Sequence, residues 1–293
     1  MMNETTEQSR GPNICIMGPA GTGKTYSIGT LVDAGVEVFY VDLETGLEAL
    51  LGYWKDRGLA VPTNLHYCRL PAPTFGFSDF INNAKRVLQS PDGESLCKLK
   101  DPDKMKHDRY VQLLTIFNNF PDERTGQSYG SVQQWSSERA LVIDGLTGMG
   151  ECVMSVVIGG KPAITQTEWG IAQGELLKLL KQLANNCACW FVLLAHVERE
   201  VDQINGGLKL MVSTLGKALP PKIPSVFSDI ILSSREGEKW TWDTASGQAD
   251  LKTRNLPIKA GQAPNFLPIL TKWRNRVTTE TDLPAPKIDT IIP

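Results

Sequence analysis

Residues Gly18, Pro19, Ala20, Gly21, Thr22, Gly23, Lys24 and Thr25 fit the pattern G-x-x-x-x-G-K-[ST]. Each residue type has a chemical reason. Glycines let backbone N–H groups converge on phosphate oxygens without a Cβ in the way. A helix opening at Lys24 turns the positive end of its dipole toward the same anion. Lys24 can reach the β- and γ-phosphates of ATP, and the Thr25 hydroxyl can ligate the accompanying Mg²⁺. An apolar run precedes the motif and a helical pattern follows it, which is the context a phosphate loop requires.

Carboxylates recur at the ends of apolar runs. Asp144 closes Ala140-Leu141-Val142-Ile143, which places it at a strand tip where it can hold the magnesium shell beside the phosphate loop. Asp42 and Glu44 close Val36–Val41. A carboxylate there can polarise the water that attacks a γ-phosphate. Glu44 is read as that base, and Asp42 as a helix cap or a supporting carboxylate. His196 follows Phe191–Ala195; it either touches the γ-phosphate and senses hydrolysis or is a hydrogen-bonded histidine at a strand end. Lys252 and Arg254 would share one face of a late strand. They are either solvated or reach a phosphate in an adjacent subunit, as an arginine finger does.

The elements that must position these groups alternate between short apolar strands and helical stretches, the pattern of an α/β fold with a mainly parallel, twisted sheet flanked by helices. Strands are expected at 14–17, 36–41, 66–70, 140–143, 190–195, 229–232 and 239–242, and helices at 24–33, 46–54 and 165–186. Residues 197–210, with Asn205-Gly206-Gly207 inside, read as a hairpin. Residues 76–138 are either an insertion or extra helices on the sheet, with helical spacing at 77–88 and 107–120 and an exposed turn at 122–127. Residues 1–12 read as a disordered lead-in. A core at 13–254 is followed by a basic, Pro-containing extension at 255–293, extended near its end.

Composition narrows the classes. The chain has 293 residues, a formal net charge of −2, 41% hydrophobic and 21% charged residues, as in ordinary soluble proteins. No apolar run reaches the roughly 20 residues of a membrane span, so no membrane association is expected, and the polar N-terminus is not a secretory signal. Six scattered cysteines, Cys187 and Cys189 among them, read as reduced thiols rather than a disulfide framework or a zinc site, which favours a cytoplasmic location. The balanced charge requires any nucleic-acid surface to be local.

In this order, Gly18–Thr25, Asp42–Glu44, Val142–Asp144, Glu168-Trp169-Gly170, Leu194-Ala195-His196 and Lys252–Arg254 resemble the RecA superfamily of P-loop ATPases. The chain is similar to phage-encoded ATP-binding proteins with a minimal RecA core, some of them single-strand annealing proteins. The resemblance covers about residues 12–258 and is weakest over 76–138. RecA itself carries Gln where this chain has His196. The resemblance implies ATP hydrolysis with Mg²⁺, action on single-stranded DNA in phage recombination or replication, and a host bacterial cytoplasm. It further implies a homo-oligomer, ring or filament, with ATP sites at subunit interfaces and Lys252 and Arg254 acting in trans. Residues 197–221 occupy the place of the RecA loop that meets single-stranded DNA, with Arg199, Lys209, Lys217 and Lys222 in or near them; they are equally a surface hairpin. Trp273, between Lys272 and Arg276, is expected to stack on a base. Two other classes share the phosphate loop: a helicase loader or assembly factor reset by hydrolysis, and a small-molecule kinase, for which no Arg-rich lid is evident.

Overall fold

The computed structural model describes residues 10–74, 76–99, 107–201 and 206–281. In chain order the main elements are β1 (Asn13–Met17), α1 (Lys24–Asp33), β2 (Glu37–Asp42), α2 (Leu47–Lys55) and β3 (Leu65–Arg69), then α3 (Phe77–Leu88), α4 (Gly93–Lys98) and α5 (Arg109–Asn118). They continue with β4 (Arg139–Asp144), α6 (Leu146–Ile158), α7 (Gln166–Asn186), β5 (Trp190–Ala195), β6 (Val197–Val201), β7 (Leu208–Val212), β8 (Asp229–Glu236), β9 (Lys239–Asp243) and α8 (Leu267–Thr281).

Seven strands form one sheet in the order β3-β2-β4-β5-β1-β8-β9, and β6 pairs with β7 apart from it. Every neighbour in the large sheet is parallel except β9, which runs antiparallel to β8. The fold is therefore α/β with a mainly parallel sheet flanked by helices, as the alternation of elements leads one to expect. Parallel strands covered on both faces must be apolar throughout, and β1, β2, β4 and β5 are buried almost without interruption. Alternate side chains divide between two cores. Phe39 and Val41 join the core under α5, α6 and α7, whereas Val38 and Tyr40 join the one under α1, α2 and α8.

Register decides what meets at the sheet's edges. Met17 lies beside Ala195, Asp144 beside Leu194, and Asp42 beside Asp144. Residues Gly18, Glu44, Gly145 and His196 thus all leave the sheet at its C-terminal edge, where ligands of open α/β sheets bind.

Residues 76–138 divide in two. Helices α3 and α4 bury no residue, while α5 buries Arg109, Leu113, Ile116 and Phe117. The turn at 122–127 is not wholly exposed as expected. Asp122 is buried and accepts from Thr125 Oγ1 and the Arg124 N–H, with His66 Nδ1 3.0 Å from its carboxylate. An inward carboxylate that closes its own turn looks, in sequence, like any polar loop residue. The segment after residue 254 contributes to the core as far as Trp273: Leu256, Phe266, Ile269, Leu270 and Trp273 are buried in the cluster under α1, α2 and α8. Its expected extended end lies outside the described residues, as do residues 1–9 of the lead-in expected at 1–12. Gly11, by contrast, donates its N–H to the Ala188 carbonyl and the Pro12 carbonyl accepts from the Phe191 N–H, so residues 11 and 12 are tied to β5 and the residues just before it. Among the described residues no helix is long and apolar enough to cross a membrane.

Candidate functional site

The phosphate loop emerges from β1 with its first N–H, from Gly18, donated to the Ala195 carbonyl of β5. Gly21 and Gly23 adopt left-handed backbone, φ 74° and 80°, which glycine reaches without a Cβ clash and which curls successive N–H groups into an anion cradle. Gly23 then caps the start of α1. The loop is braced from β8 and β9. Ser233 Oγ donates to the Thr22 carbonyl at 2.8 Å, and Trp240 Nε1 donates to that of Gly21 at 3.2 Å. A Cβ on Gly23 would come within 2.5 Å of the Trp240 ring. The Lys24 ammonium is buried and donates to the Gly18 and Pro19 carbonyls, both at 2.8 Å. Burial lowers its pKa, against the opposing pull of Asp144 and Glu44.

Asp144 reaches across from β4. Its Oδ2 accepts from Thr25 Oγ1 at 2.6 Å and from the buried Tyr40 hydroxyl at 2.5 Å. The two groups expected to hold magnesium are therefore in contact, and hard hydroxyl and carboxylate oxygens side by side suit Mg²⁺. Burial, joined by the charges of Glu44 and Asp42, raises the Asp144 carboxyl above its ordinary value, although both hydrogen bonds oppose this. Burial likewise keeps the Tyr40 phenol protonated and a donor. There is no room beside this pair: a Cβ on Gly46 would lie 2.3 Å from Asp144 Oδ2 and 2.6 Å from the Tyr40 oxygen.

Glu44 sits in a turn built around the buried Asp42, whose carboxylate accepts from the N–H groups of Glu44, Gly46 and Leu47 at 3.3, 2.9 and 3.1 Å. That cap holds Thr45 at φ 63°, uncommon for a residue with a Cβ. The Glu44 carboxylate accepts from the Gly148 N–H at 2.7 Å and lies 3.2 Å from His196 Nε2. Burial alone would raise its pKa. The His196 and Gly148 hydrogen bonds, with the His196 and Lys24 charges, outweigh burial and leave it below its ordinary value. A carboxylate kept ionised and aimed into a cleft is suited to orient water and take its proton.

These groups share one open cleft of about 540 Å³, bordered also by Tyr26, Glu48 and Trp240. The structure brings Gly18–Thr25, Asp144, Glu44 and His196 together. It does not bring Lys252 and Arg254 to them. In place of a late strand there is a single bridge, Lys252 to Ile230 at the start of β8, followed by a bend. The buried Asp229 carboxylate causes the bend by accepting from the N–H groups of Arg254 and Asn255, both at 2.8 Å. Both cations are exposed. Arg254 borders a cavity of about 320 Å³ with Arg10 and Arg276. Because β8 runs parallel to β1 with Asp229 beside Ile14, this is the N-terminal edge, opposite the phosphate loop.

Trp273 is not free to stack on a base: it is buried, lies edge-on to Trp190 at 5.3 Å, and donates to the Arg10 carbonyl. Flanking cations suggested an exposed ring, but on α8 it faces inward beside Ile269 and Leu270. The hairpin β6–β7 is present, although residues 202–205 at its turn lie outside the described residues. Lys209 is paired with Asp250 at 2.7 Å, while Arg199, Lys217 and Lys222 are exposed. Glu168 forms a capping box with Thr165 and pairs with Lys161, which hold its carboxyl at about 2. The cysteines are free thiols, all buried except Cys97, and no cluster of three or more His, Cys, Asp or Glu side chains placed to hold a metal ion is found among the described residues. Sequence reasoning missed Tyr40, Gly46, Gly148 and Trp240. Only Tyr40 left a signal, since a buried tyrosine hydroxyl needs an acceptor.

No protein-family model matches the chain, and no curated protein matches it either. Among solved structures it is similar to the RadB recombinase, at 14% identity and a TM-score of 0.38, with 82% of this chain and 84% of that chain covered. A prototypical ATPase from the type III secretion system of pathogenic bacteria gives 10% identity and a TM-score of 0.38, covering 77% of this chain and 53% of that one. The flagellar accessory protein FlaH from Methanocaldococcus jannaschii gives 11%, 0.30, 80% and 77%. Likenesses this distant carry no argument about substrate, partner or assembly.

Proposed function

We propose that this chain is a Mg²⁺-dependent ATPase with a RecA-like core that acts on single-stranded DNA, in phage recombination or replication, as an annealing or strand-handling protein. The observation that carries the ATPase part of this reading is the convergence at one sheet edge of a buried Lys24, the Thr25–Asp144 contact and the ionised Glu44. Lys24 and the loop N–H groups bind the phosphates. Thr25 and Asp144 would hold Mg²⁺, which when bound neutralises phosphate charge. Glu44 orients a water and accepts its proton as the water oxygen bonds to the γ-phosphorus; the bond to the β–γ bridging oxygen breaks, giving ADP and inorganic phosphate. His196 holds Glu44 from the side and stands one residue before the β6–β7 hairpin, which supports a link between hydrolysis and whatever the hairpin touches. Ser213, just after the hairpin, donates its N–H to the His196 carbonyl at 2.7 Å.

Lys252 and Arg254 stand on the edge opposite the phosphates, so a role for them in hydrolysis requires a neighbouring copy. An N-terminal edge facing a C-terminal edge is a head-to-tail interface, which builds rings or filaments. The test is steady-state hydrolysis with and without single-stranded DNA at low salt. Stimulation that weakens steeply as salt rises is expected. Hydrolysis indifferent to single strands, with no binding to them, would favour a nucleotide-gated loader or assembly factor, and phosphorylation of a metabolite would favour a kinase.

A further inference from the structure

Arg109 opens α5 on the far side of the sheet from α1, in the region least like any motif, and is buried. A buried guanidinium must place its donors, and most go to the C-terminal edge of the sheet. Nη2 donates to the carbonyls of Leu43 at 2.9 Å and Leu70 at 2.7 Å, and Nε donates to Leu70 at 3.2 Å. Nη1 pairs with Glu151 of α6 at 3.3 Å. Leu43 and Leu70 each add one rung beyond their strands, their N–H groups donating to the Asp144 and Asp42 carbonyls. Their own carbonyls turn to Arg109.

The peptide between Leu43 and Glu44 is consequently held at both ends, its oxygen by Arg109 and its N–H by the Asp42 carboxylate at 3.3 Å. That plane sets the direction in which the Glu44 side chain leaves the backbone. The packing behind it is tight, since a Cβ on Gly148, the residue that donates to Glu44, would lie 2.6 Å from Leu43 Cβ. We infer that Arg109 is the positioning residue that fixes Glu44 for attack on the γ-phosphate, so that α5 completes the ATP site without touching the nucleotide. This rests on the reading of Glu44 as the water-orienting carboxylate.

The test compares wild type with Arg109→Met, which keeps a long unbranched stem but offers no donor to the Leu43 and Leu70 carbonyls. A positioning role predicts that kcat falls about 10- to 100-fold while ATP affinity stays within about threefold, because roughly an ångström of misplacement is costly to chemistry and not to binding. A merely structural role would move affinity and melting temperature together with kcat. Arg109→Met that binds ATP and turns it over at the wild-type rate overturns the inference. If that variant does not fold, Glu151→Lys carries the test from a mostly exposed position, 60% accessible. A cation set against Nη1 is expected to lower kcat about threefold with ATP affinity unchanged, and no loss of kcat would overturn the inference. Wild-type protein that hydrolyses no ATP would instead remove the proposed function.

Discussion

At the scale of single residues, the site works by setting carboxylates apart in character. Asp144 is buried and held by two hydroxyl donors; Glu44 is held ionised by a histidine and a backbone N–H; Asp42 spends its oxygens on the turn. The charged groups that set the Glu44 pKa are His196 and Lys24. As the proposed base, Glu44 is competent only when deprotonated, so hydrolysis is expected to be lost as pH falls through its pKa, which lies below the ordinary glutamate value. Removing the His196 hydrogen bond raises that pKa. In His196→Ala the acid limb of the kcat–pH profile is therefore expected to move to higher pH, and a limb that stays where it is in wild type would show that His196 does not govern Glu44. The candidate site residues were legible because phosphate-loop motifs and strand-end carboxylates are local in sequence. Tyr40 and Arg109 were not, because a tyrosine inside an apolar strand and an arginine opening a helix acquire their partners only through residues about 40 to 100 positions away.

At the scale of elements, the parallel strands declared themselves as apolar runs, and α7 by its spacing. Helix α6 did not: it buries residues on nearly every side and contains Gly148 and Gly150, so neither periodicity nor propensity marks it. Helix α8 was hidden by prolines, yet Pro268 lies in its first turn, where the missing N–H has no intrahelical partner to lose. The join between β2 and α2 is the element most sensitive to size. Gly46→Ala places a Cβ against Asp144 Oδ2 and the Tyr40 hydroxyl, forcing the Asp144 carboxylate aside. The variant is expected to stay folded by circular dichroism and to lose about 100-fold in Mg²⁺-dependent hydrolysis. Hydrolysis equal to wild type would mean that the Thr25–Asp144 contact is not needed.

At the scale of the whole molecule, the two sheet edges have different characters: carboxylates, Lys24 and the loop at one, Arg254 with Arg10 and Arg276 at the other. The sequence order of the motifs suggested a shared site but not which edge carries Arg254, since that depends on the bend that Asp229 ties. In the proposed head-to-tail assembly, Glu44 of one copy and Arg254 of the next complete one ATP site. The measurement that tests this arrangement most directly is phosphate release at saturating ATP by Glu44→Gln, by Arg254→Ala, and by their co-assembled mixtures. Each variant alone should bind ATP nearly as wild type does. Each should hydrolyse it far more slowly, by about 10³-fold or more for Arg254→Ala if it acts as fingers do. Mixtures should recover part of the rate, because some interfaces then pair an intact Glu44 with an intact Arg254. Glu44→Gln releasing phosphate at the wild-type rate, or co-assembled mixtures no faster than either variant, would contradict it.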